Sequence, residues 1–265
     1  MIKTFQYLNS TISYNIEGKG KTVVLIHGYG ENSKIFDAQI NYLKNHCQVI
    51  VPDLPGSGNS TFSNVVHTVT VQDYAQCIEA LLLHEKIATC TLLGHSMGGY
   101  ITLAFAKAFP QYLTSFGLLH STAFADSEEK KQNRLRSIEI IEQYGGYAFL
   151  KTTIPNLFGT NFKATSNEVV ENLIEASKQF TKEALRQYTI AMMNRPDATD
   201  VLKDQQLPVL FILGTEDIAA PLNDVLQQTY LPQCSYIHVL KEVGHMGMLE
   251  ATKEMNEYLL EFISK

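Results

Sequence analysis

The sequence predicts an α/β protein that is built on one mostly parallel sheet. Short apolar runs, typical of buried strands, alternate with amphipathic segments, typical of helices, over most of the 265 residues. This alternation stops near residue 121 and resumes after residue 195, and the segment between them contains only helical patterns. A hydrophobic content of 45% is enough for a large core. We therefore predict a core formed by residues 1–120 and 196–265, with a helical insertion over residues 121–195.

The predicted strands are of two kinds. Residues 3–8 and 11–16 alternate apolar and polar side chains around Asn9-Ser10, which predicts an antiparallel hairpin. The later strands are continuous apolar runs, as expected where helices cover both faces of a parallel sheet. These runs lie at residues 22–26, 47–51, 88–93, 113–119, 208–213 and 235–240.

The helices are predicted from apolar residues at helical spacing, bounded by capping residues and breakers. Thr70 and Asp73 form a capping-box pattern at the start of one helix, and Gly145-Gly146 ends another. Core helices are predicted at residues 33–45, 70–82, 100–109, 222–230 and 251–264. Helices of the insertion are predicted at residues 126–144, from 147 onward, 166–179 and 181–193.

The net charge of -6 and the pI near 5.8 argue against a nucleic-acid or anionic-membrane partner. There is no signal-peptide pattern and no apolar stretch long enough to span a membrane. The four cysteines are scattered, which indicates reduced and mostly buried thiols. These features predict a cytoplasmic protein that acts on a small-molecule substrate, and they leave the oligomeric state open.

One strand and one helix are joined by the turn Gly94-His95-Ser96-Met97-Gly98. So short a turn strains its central residue, and glycines two positions away let the backbones pass closely. The strain holds the Ser96 hydroxyl above the sheet at the start of the helix. There, free N–H groups and the helix dipole stabilise developing negative charge. The pattern therefore predicts a nucleophilic serine.

A serine hydroxyl needs a base to take its proton, and histidine is the suitable base at neutral pH. The Ser96 turn lies at the carboxyl ends of the strands, so its partners must come from loops at the same edge. His245 lies in the loop after the last strand and is preferred, whereas His120, which ends a strand, is the competitor. The other histidines have structural interpretations. We expect hydrogen bonds within tight turns for His27 and His95, and a position in the sheet for His238. His46, His67 and His84 are expected to be exposed or packed.

A carboxylate must orient the histidine, and Asp217 after the penultimate strand fits best, with the adjacent Glu216 as the alternative. The strand after the Ser96 helix offers no carboxylate before Asp126, which makes it a weak source. Asp53 lies in a Pro-Asp-x-Pro-Gly turn, where an aspartate commonly bonds the local backbone, so we interpret it as structural. The predicted catalytic residues are, in chain order, Ser96, Asp217 and His245.

That chain order resembles the α/β-hydrolase fold family, and the resemblance covers essentially the whole chain. It is carried by five segments, which are His27-Gly28-Tyr29-Gly30, residues 53–60, residues 94–99, residues 214–217 and Gly244-His245. The resemblance implies an eight-stranded, mostly parallel sheet with a helical cap inserted after the sixth strand. It also implies an oxyanion hole formed by the backbone N–H groups of Tyr29 and Met97.

Chains of this family include carboxylesterases, lactonases, thioesterases and carbon–carbon bond hydrolases, so the resemblance does not name one reaction. We expect a serine hydrolase that cleaves a small, apolar carboxylic ester and needs no metal or other cofactor. The alternatives are a lactone, thioester or carbon–carbon hydrolase with the same three residues, a perhydrolase, or a low-turnover ligand receptor. Candidate substrate-binding residues in the cap are Tyr144, Phe158, Met192 and Arg195. For Arg195, the alternative is an ion pair that ties the cap to the core.

Overall fold

One eight-stranded sheet runs through the protein. The computed structural model describes residues 1–62, 68–203 and 205–265. Within them the strands are β1 (Ile2–Tyr7), β2 (Ser10–Glu17), β3 (Thr22–Ile26), β4 (Gln48–Pro52), β5 (Cys90–His95), β6 (Leu113–Leu119), β7 (Val209–Gly214) and β8 (Ser235–Leu240). Their order across the sheet is β1-β2-β4-β3-β5-β6-β7-β8. The pairs β1–β2 and β2–β4 are antiparallel and all the others are parallel, so the predicted sheet is confirmed.

The central strands are the most buried part of the sheet. Every residue of β3, β5 and β7 is buried, which explains why their sequences are continuous apolar runs instead of alternating ones. β8 lies at the edge of the sheet and alternates more, with Ile237 and Val239 partly exposed. Because β3 to β8 pair in parallel, their carboxyl ends lie at one edge of the sheet.

Helices cover both faces of the sheet and fill the chain between β6 and β7. They are α1 (Asp37–Leu43), α2 (Val71–His84), α3 (Met97–Ala108), α4 (Glu128–Tyr144), α5 (Gly146–Thr153), α6 (Thr160–Thr165), α7 (Asn167–Ala176), α8 (Lys182–Met193), α9 (Thr199–Lys203), α10 (Leu222–Leu226), α11 (Gly247–Glu250) and α12 (Thr252–Ile263). The capping box that opens α2 is confirmed, because Thr70 accepts the N–H of Asp73 and Asp73 accepts the N–H of Thr70.

The predicted helices differ from the observed ones mainly where they are short. The helix expected at residues 33–45 is a 3₁₀ turn, Ser33–Phe36, followed by α1. The one expected at residues 222–230 ends early, as α10. Three helices of four to six residues, α6, α9 and α11, were not expected. One or two turns are too few for an apolar period to be recognised in a sequence.

The chain between β6 and β7 is helical and, in its described residues, contains no strand. Within it α4 packs against α5 and α8. Tyr188 of α8 joins this helical segment to the core, because its buried hydroxyl lies 2.7 Å from the Ser57 hydroxyl and donates to the Pro55 carbonyl at 2.7 Å. The limits of the insertion at residues 121 and 195 stay a prediction from the sequence.

Among the described residues, none of the helices combines the length and the apolar character that crossing a bilayer requires. All four cysteines are free thiols. Cys47, Cys77 and Cys90 are buried in the core, and Cys234 is exposed.

Candidate active site

Ser96 occupies a strained turn between β5 and α3. Its φ of 51° and ψ of -116° lie outside the regions that a side chain ordinarily tolerates. A Cβ on Gly94 would lie 2.1 Å from the Gly98 carbonyl oxygen, and one on Gly98 would lie 2.3 Å from the Ile26 carbonyl oxygen. Only glycine fits at either position, so β3, β5 and α3 can meet closely enough to hold the strained turn.

The backbone around Ser96 is tied to the neighbouring strand. The Ser96 N–H donates to the Leu119 carbonyl at 3.0 Å, and the Ser121 hydroxyl donates to the Ser96 carbonyl at 2.7 Å. The N–H of Met97 at the start of α3 and the N–H of Tyr29 donate to no acceptor among the described residues. These are the two donors that the family resemblance implies for an oxyanion hole, and both are free to bind one.

The turn that carries Tyr29 is held by a buried carboxylate. Glu31 accepts the Gly28 N–H at 2.8 Å and lies 3.0 Å from Nδ1 of His95. Burial by itself would raise the pKa of Glu31, but His95 and the Gly28 N–H hold it below its usual value. Among the described residues, His27 bonds backbone groups, with Nδ1 donating to the Gly28 carbonyl and Nε2 accepting from the Leu54 N–H. His27 therefore has the structural position that its turn predicts.

His245 and Asp217 form a buried pair at the same edge of the sheet. Nδ1 of His245 lies 3.0 Å and 2.9 Å from the two carboxylate oxygens of Asp217. Burial lowers the pKa of His245, but the Asp217 charge outweighs it and the net pKa is raised. In the same way, burial opposes the ionisation of Asp217, yet His245 and His120 keep the pKa of this carboxyl far below its usual range. Asp217 is therefore ionised at neutral pH and favours a protonated His245.

The His245 ring lies beside the Ser96 turn. Its centroid is 4.9 Å from that of His95, the residue before Ser96, and Nε2 of His95 donates to the His245 carbonyl at 2.9 Å. No hydrogen bond joins the Ser96 hydroxyl to His245 or to any other described residue. Bonds between a catalytic nucleophile and its base are often long in unliganded enzymes. The structure thus brings the three predicted catalytic residues to one place and bonds two of them directly.

Glu250 holds the backbone on both sides of His245. Its carboxylate accepts the N–H groups of Gly244 at 3.1 Å and of Met246 at 3.0 Å. It also accepts the N–H of Gly159, at the start of α6, at 2.7 Å. Burial raises the pKa of Glu250. No sequence pattern singles out this residue, because a glutamate on a short helix carries no motif of its own.

A second contact joins the helical segment to the same loop. The His245 N–H donates to the Leu157 carbonyl at 2.6 Å. Glu216, the alternative to Asp217, accepts the Thr160 N–H at 2.6 Å instead of facing His245. Asp53, predicted to be structural, accepts the N–H groups of Ser33 and Asn59.

His120, the competitor for the base, also reaches the site. Its Nδ1 lies 3.2 Å from Oδ2 of Asp217, so Asp217 is shared by two histidines. The nearest ligand atoms of His120, Asp217 and His245 lie within 4.8 Å of one another, which is the donor set of a metal site. All three side chains are buried, and both Nδ1 atoms already face the Asp217 carboxylate. We therefore interpret the cluster as a hydrogen-bonded network. His67 lies outside the described residues.

A family model described as the alpha/beta hydrolase fold matches residues 21–252. The chain belongs to the α/β-hydrolase fold family. It is 28% identical to the dihydrolipoyllysine-residue acetyltransferase component of an acetoin cleaving system from Pseudomonas putida, over 95% of this chain and 66% of that protein. It is 26% identical to (E)-2-((N-methylformamido)methylene)succinate hydrolase from Acinetobacter baylyi, over 96% and 95% of the two chains. A thermophilic esterase from Thermogutta terrifontis is similar in structure, with a TM-score of 0.93, 26% identity and coverage of 100% and 98%.

The chain spans about two thirds of the length of the first of these relatives and nearly the full length of the other two. Membership of the α/β-hydrolase family and the hydrolase and esterase among these relatives support hydrolase activity for this chain.

Two of the predicted substrate-binding residues, Tyr144 and Arg195, lie in different surroundings, and their contact with a substrate stays a prediction. Tyr144 ends α4 with 65% of its surface exposed, because α4 buries little besides Ile141. Arg195 is buried, and both of its Nη atoms have partners, whereas its Nε has none among the described residues. Its Nη1 lies 2.8 Å from Asp126, and its guanidinium carbon lies 3.8 Å from the centre of the Tyr100 ring. The ion pair joins two residues of the predicted insertion, whereas the contact with the Tyr100 ring of α3 reaches the core.

The other two candidates, Phe158 and Met192, are buried side chains of the helical segment. Phe158 stacks on Phe162, with ring centroids 5.6 Å apart. Phe158 also directly follows Leu157, whose carbonyl accepts the His245 N–H. Their contact with substrate stays a prediction.

Proposed function

We propose that this hydrolase is a serine esterase that cleaves a small, apolar carboxylic ester through an acyl-enzyme on Ser96. The observation that carries the proposal is the meeting, at one edge of the sheet, of the strained Ser96 turn and the buried His245–Asp217 pair. Similarity to a solved esterase over the full chain adds support.

In the proposed reaction, the Ser96 hydroxyl oxygen attacks the ester carbonyl carbon while Nε2 of His245 takes the hydroxyl proton. The carbonyl oxygen becomes negative and accepts hydrogen bonds from the N–H groups of Tyr29 and Met97. His245 then returns the proton to the departing alkoxide, and the alcohol leaves. A water molecule, deprotonated by His245, attacks the acyl-enzyme, which releases the carboxylic acid and restores Ser96.

The electrostatics suit these proton transfers. An ionised Asp217 stabilises the imidazolium that forms when His245 accepts a proton, and it orients the ring through Nδ1. Two N–H donors at the oxyanion match the charge that develops in the transition state. Loss of one such donor typically raises the barrier by about 2.7–4 kcal/mol.

An apolar substrate is supported by the side chains next to the Tyr29 turn. The Tyr29 ring lies edge-on to Phe149 of α5 and Tyr188 of α8, at centroid distances of 6.5 Å and 6.3 Å. Its hydroxyl pairs with the Thr189 hydroxyl, and Arg195 is committed to Asp126. The wall between this turn and the helical segment is therefore aromatic, as in many sites for apolar ligands.

Hydrolysis of a chromogenic ester series, from acetate to dodecanoate, tests the proposal, with Ser96→Ala as the matched variant. We expect the wild type to hydrolyse these esters and its rate to saturate with the esters of short acyl chain. Ser96→Ala should show no turnover. Mass spectrometry of the quenched reaction should show the acyl group on the peptide that contains Ser96. Equal turnover by Ser96→Ala would overturn the proposal.

The alternative substrates give different outcomes in the same assay. If no ester is cleaved but a lactone or thioester is, and Ser96→Ala abolishes that reaction, the serine mechanism stands and the substrate class changes. Single-turnover labelling without release of the acid would instead favour a low-turnover receptor.

A further inference from the structure

His120 is a buried histidine that the proposed reaction does not use. It follows β6 with a φ of 49°, a left-handed conformation that histidine and asparagine adopt more readily than most residues. Burial lowers its pKa, so the ring is neutral at neutral pH. Because Nδ1 faces the Asp217 carboxylate at 3.2 Å, the single ring proton belongs on Nδ1, which donates to Oδ2.

The opposite side of the ring is confined by Gly247. Nε2 of His120 is buried and has no partner among the described residues. A Cβ on Gly247 would lie only 2.2 Å from this nitrogen. Gly247 starts α11 without a positive φ, so an alanine suits its backbone and meets only a steric obstacle. The ring therefore fits between α11 and Asp217 because residue 247 has no side chain.

Asp217 receives four donors. Oδ1 accepts the N–H groups of Ala219 and Ala220, both at 2.9 Å, and lies 3.0 Å from Nδ1 of His245, whereas Oδ2 faces Nδ1 of both His120 and His245. Without His120, Oδ2 would depend on His245 alone. The carboxylate would then be more basic and freer to rotate, and it would draw the proton of His245 more strongly.

We propose that His120 is a positioning residue that holds Asp217 in place for His245, and that Gly247 makes the space for it. The proposal rests on the serine-hydrolase function above. It predicts a specific coupling, in which a methyl group at residue 247 is harmful only when the full imidazole is present at residue 120.

The test uses four variants, namely Gly247→Ala, His120→Asn, His120→Gly and the double variant Gly247→Ala with His120→Asn. Asparagine tolerates the left-handed backbone, carries an N–H donor at the position of Nδ1, and lacks the atoms that would meet the new methyl group. Glycine also tolerates this backbone and supplies no donor, so Asn and Gly are matched for conformation and differ in the hydrogen bond.

We expect Gly247→Ala and His120→Gly to lower kcat/KM about tenfold, equivalent to ~1.4 kcal/mol of barrier. In both, the acid limb of the kcat/KM profile should move to higher pH, because His245 becomes more basic. His120→Asn should keep most of the activity. The double variant should match His120→Asn, and its acid limb should return toward that of the wild type. Thermal unfolding of each variant identifies any that fails to fold, in which case the Asn and Gly pair still provides the comparison.

Two outcomes would overturn the proposal. One is a Gly247→Ala variant with wild-type rate and pH profile, and the other is a double variant no more active than Gly247→Ala. A readout that needs no substrate is the downfield ¹H NMR resonance of the proton between His245 and Asp217, which should shift in Gly247→Ala and recover in the double variant. If the wild type cleaves no ester, the esterase proposal fails, whereas this resonance still reports on His120.

Discussion

The Ser96 turn and the His245 loop lie side by side, but they are held in different ways. The Ser96 turn is held by its own neighbours along the chain and in the adjacent strands, through Gly94, Gly98 and hydrogen bonds to β6. The His245 loop is held by the nearby Glu250 and also from a distance, by the Leu157 carbonyl of the helical segment and by His95. The difference indicates that the geometry of the nucleophile depends on the core, whereas that of the base depends also on docking of the helical segment.

The largest expected effect follows from a methyl group inside the Ser96 turn. Gly98→Ala would place a Cβ 2.3 Å from the Ile26 carbonyl oxygen, which belongs to the backbone of β3 and cannot move aside cheaply. We expect a loss of roughly 3 kcal/mol or more in the free energy of unfolding, measured by urea denaturation. Gly28→Ala is the comparison, because its new methyl would meet only side chains, at 3.0 Å and beyond. It should fold and lose activity. Equal stability of the Gly98 variant would show that the turn is not held by close backbone contact.

Removal of the charge on Asp217 should have the largest effect on the rate of the reaction, as distinct from the stability of the fold. Asp217→Asn keeps the shape of the side chain but no longer stabilises the imidazolium, and an analogous change in a serine protease lowers kcat by roughly 10⁴-fold. We expect a loss of about that size in kcat for the ester reaction. Glu216→Gln is the matched control, since this neighbouring carboxylate bonds Thr160 and not His245. Similar losses in the two variants would contradict the assignment of the acid.

Glu250→Gln tests how far the base depends on the carboxylate that joins its loop to the helical segment. In the wild type, the N–H groups of Gly244, Met246 and Gly159 donate to the Glu250 carboxylate. In the variant, the amide NH₂ is itself a donor and would face these N–H groups, so the three bonds would weaken together. We expect kcat to fall about tenfold to a hundredfold. The variant should still fold and still be acylated on Ser96. Proteolysis near residue 159 should accelerate.

The control is Glu254→Gln, on the exposed face of α12, which should change neither quantity. Unchanged kcat in the Glu250 variant would indicate that the His245 loop is held by its other contacts alone.

The smallest expected effect is a shift in pH dependence. His245 acts as a base only when neutral, and Asp217 raises its pKa above the usual value of 6.5. Activity should therefore fall as the pH is lowered through a pKa higher than 6.5, and Asp217→Asn should move this limb to lower pH. The profile of kcat/KM, measured with an ester whose own ionisation does not interfere, gives the value for the free enzyme. A limb below pH 6.5 in the wild type would contradict an ionised Asp217 beside His245.

Local signals predicted most of the fold. β3, β6 and β8 have the bounds that their apolar runs predict, and the capping residues of α2 lie where the pattern indicates. Such features depend on residues a few positions apart, which the order of the chain displays directly. The strained turn at Ser96 belongs partly to the same class, because a Cβ on Gly94 would meet Gly98 four residues along, whereas a Cβ on Gly98 would meet the distant Ile26.

The surroundings of the site could not be predicted in this way. Tyr144 and Arg195 were expected to face a substrate, but whether a side chain points to solvent, to an ion-pair partner or to a ligand depends on what packs against it. The sharing of Asp217 by His120 and His245 joins loops that are 97 and 28 residues away from it in the chain.

The sequence by itself therefore determined the strands of the sheet, the chain order of the loops that follow them, and the turn at Ser96. Short-range sterics and apolar periodicity govern these features. Only the tertiary structure decided which charged and polar groups surround His245. The contacts of Glu250 with Gly159 and of His120 with Gly247 exist because separate loops meet at one edge of the sheet. No spacing along the chain encodes such a meeting, since it depends on how the whole core brings those loops together.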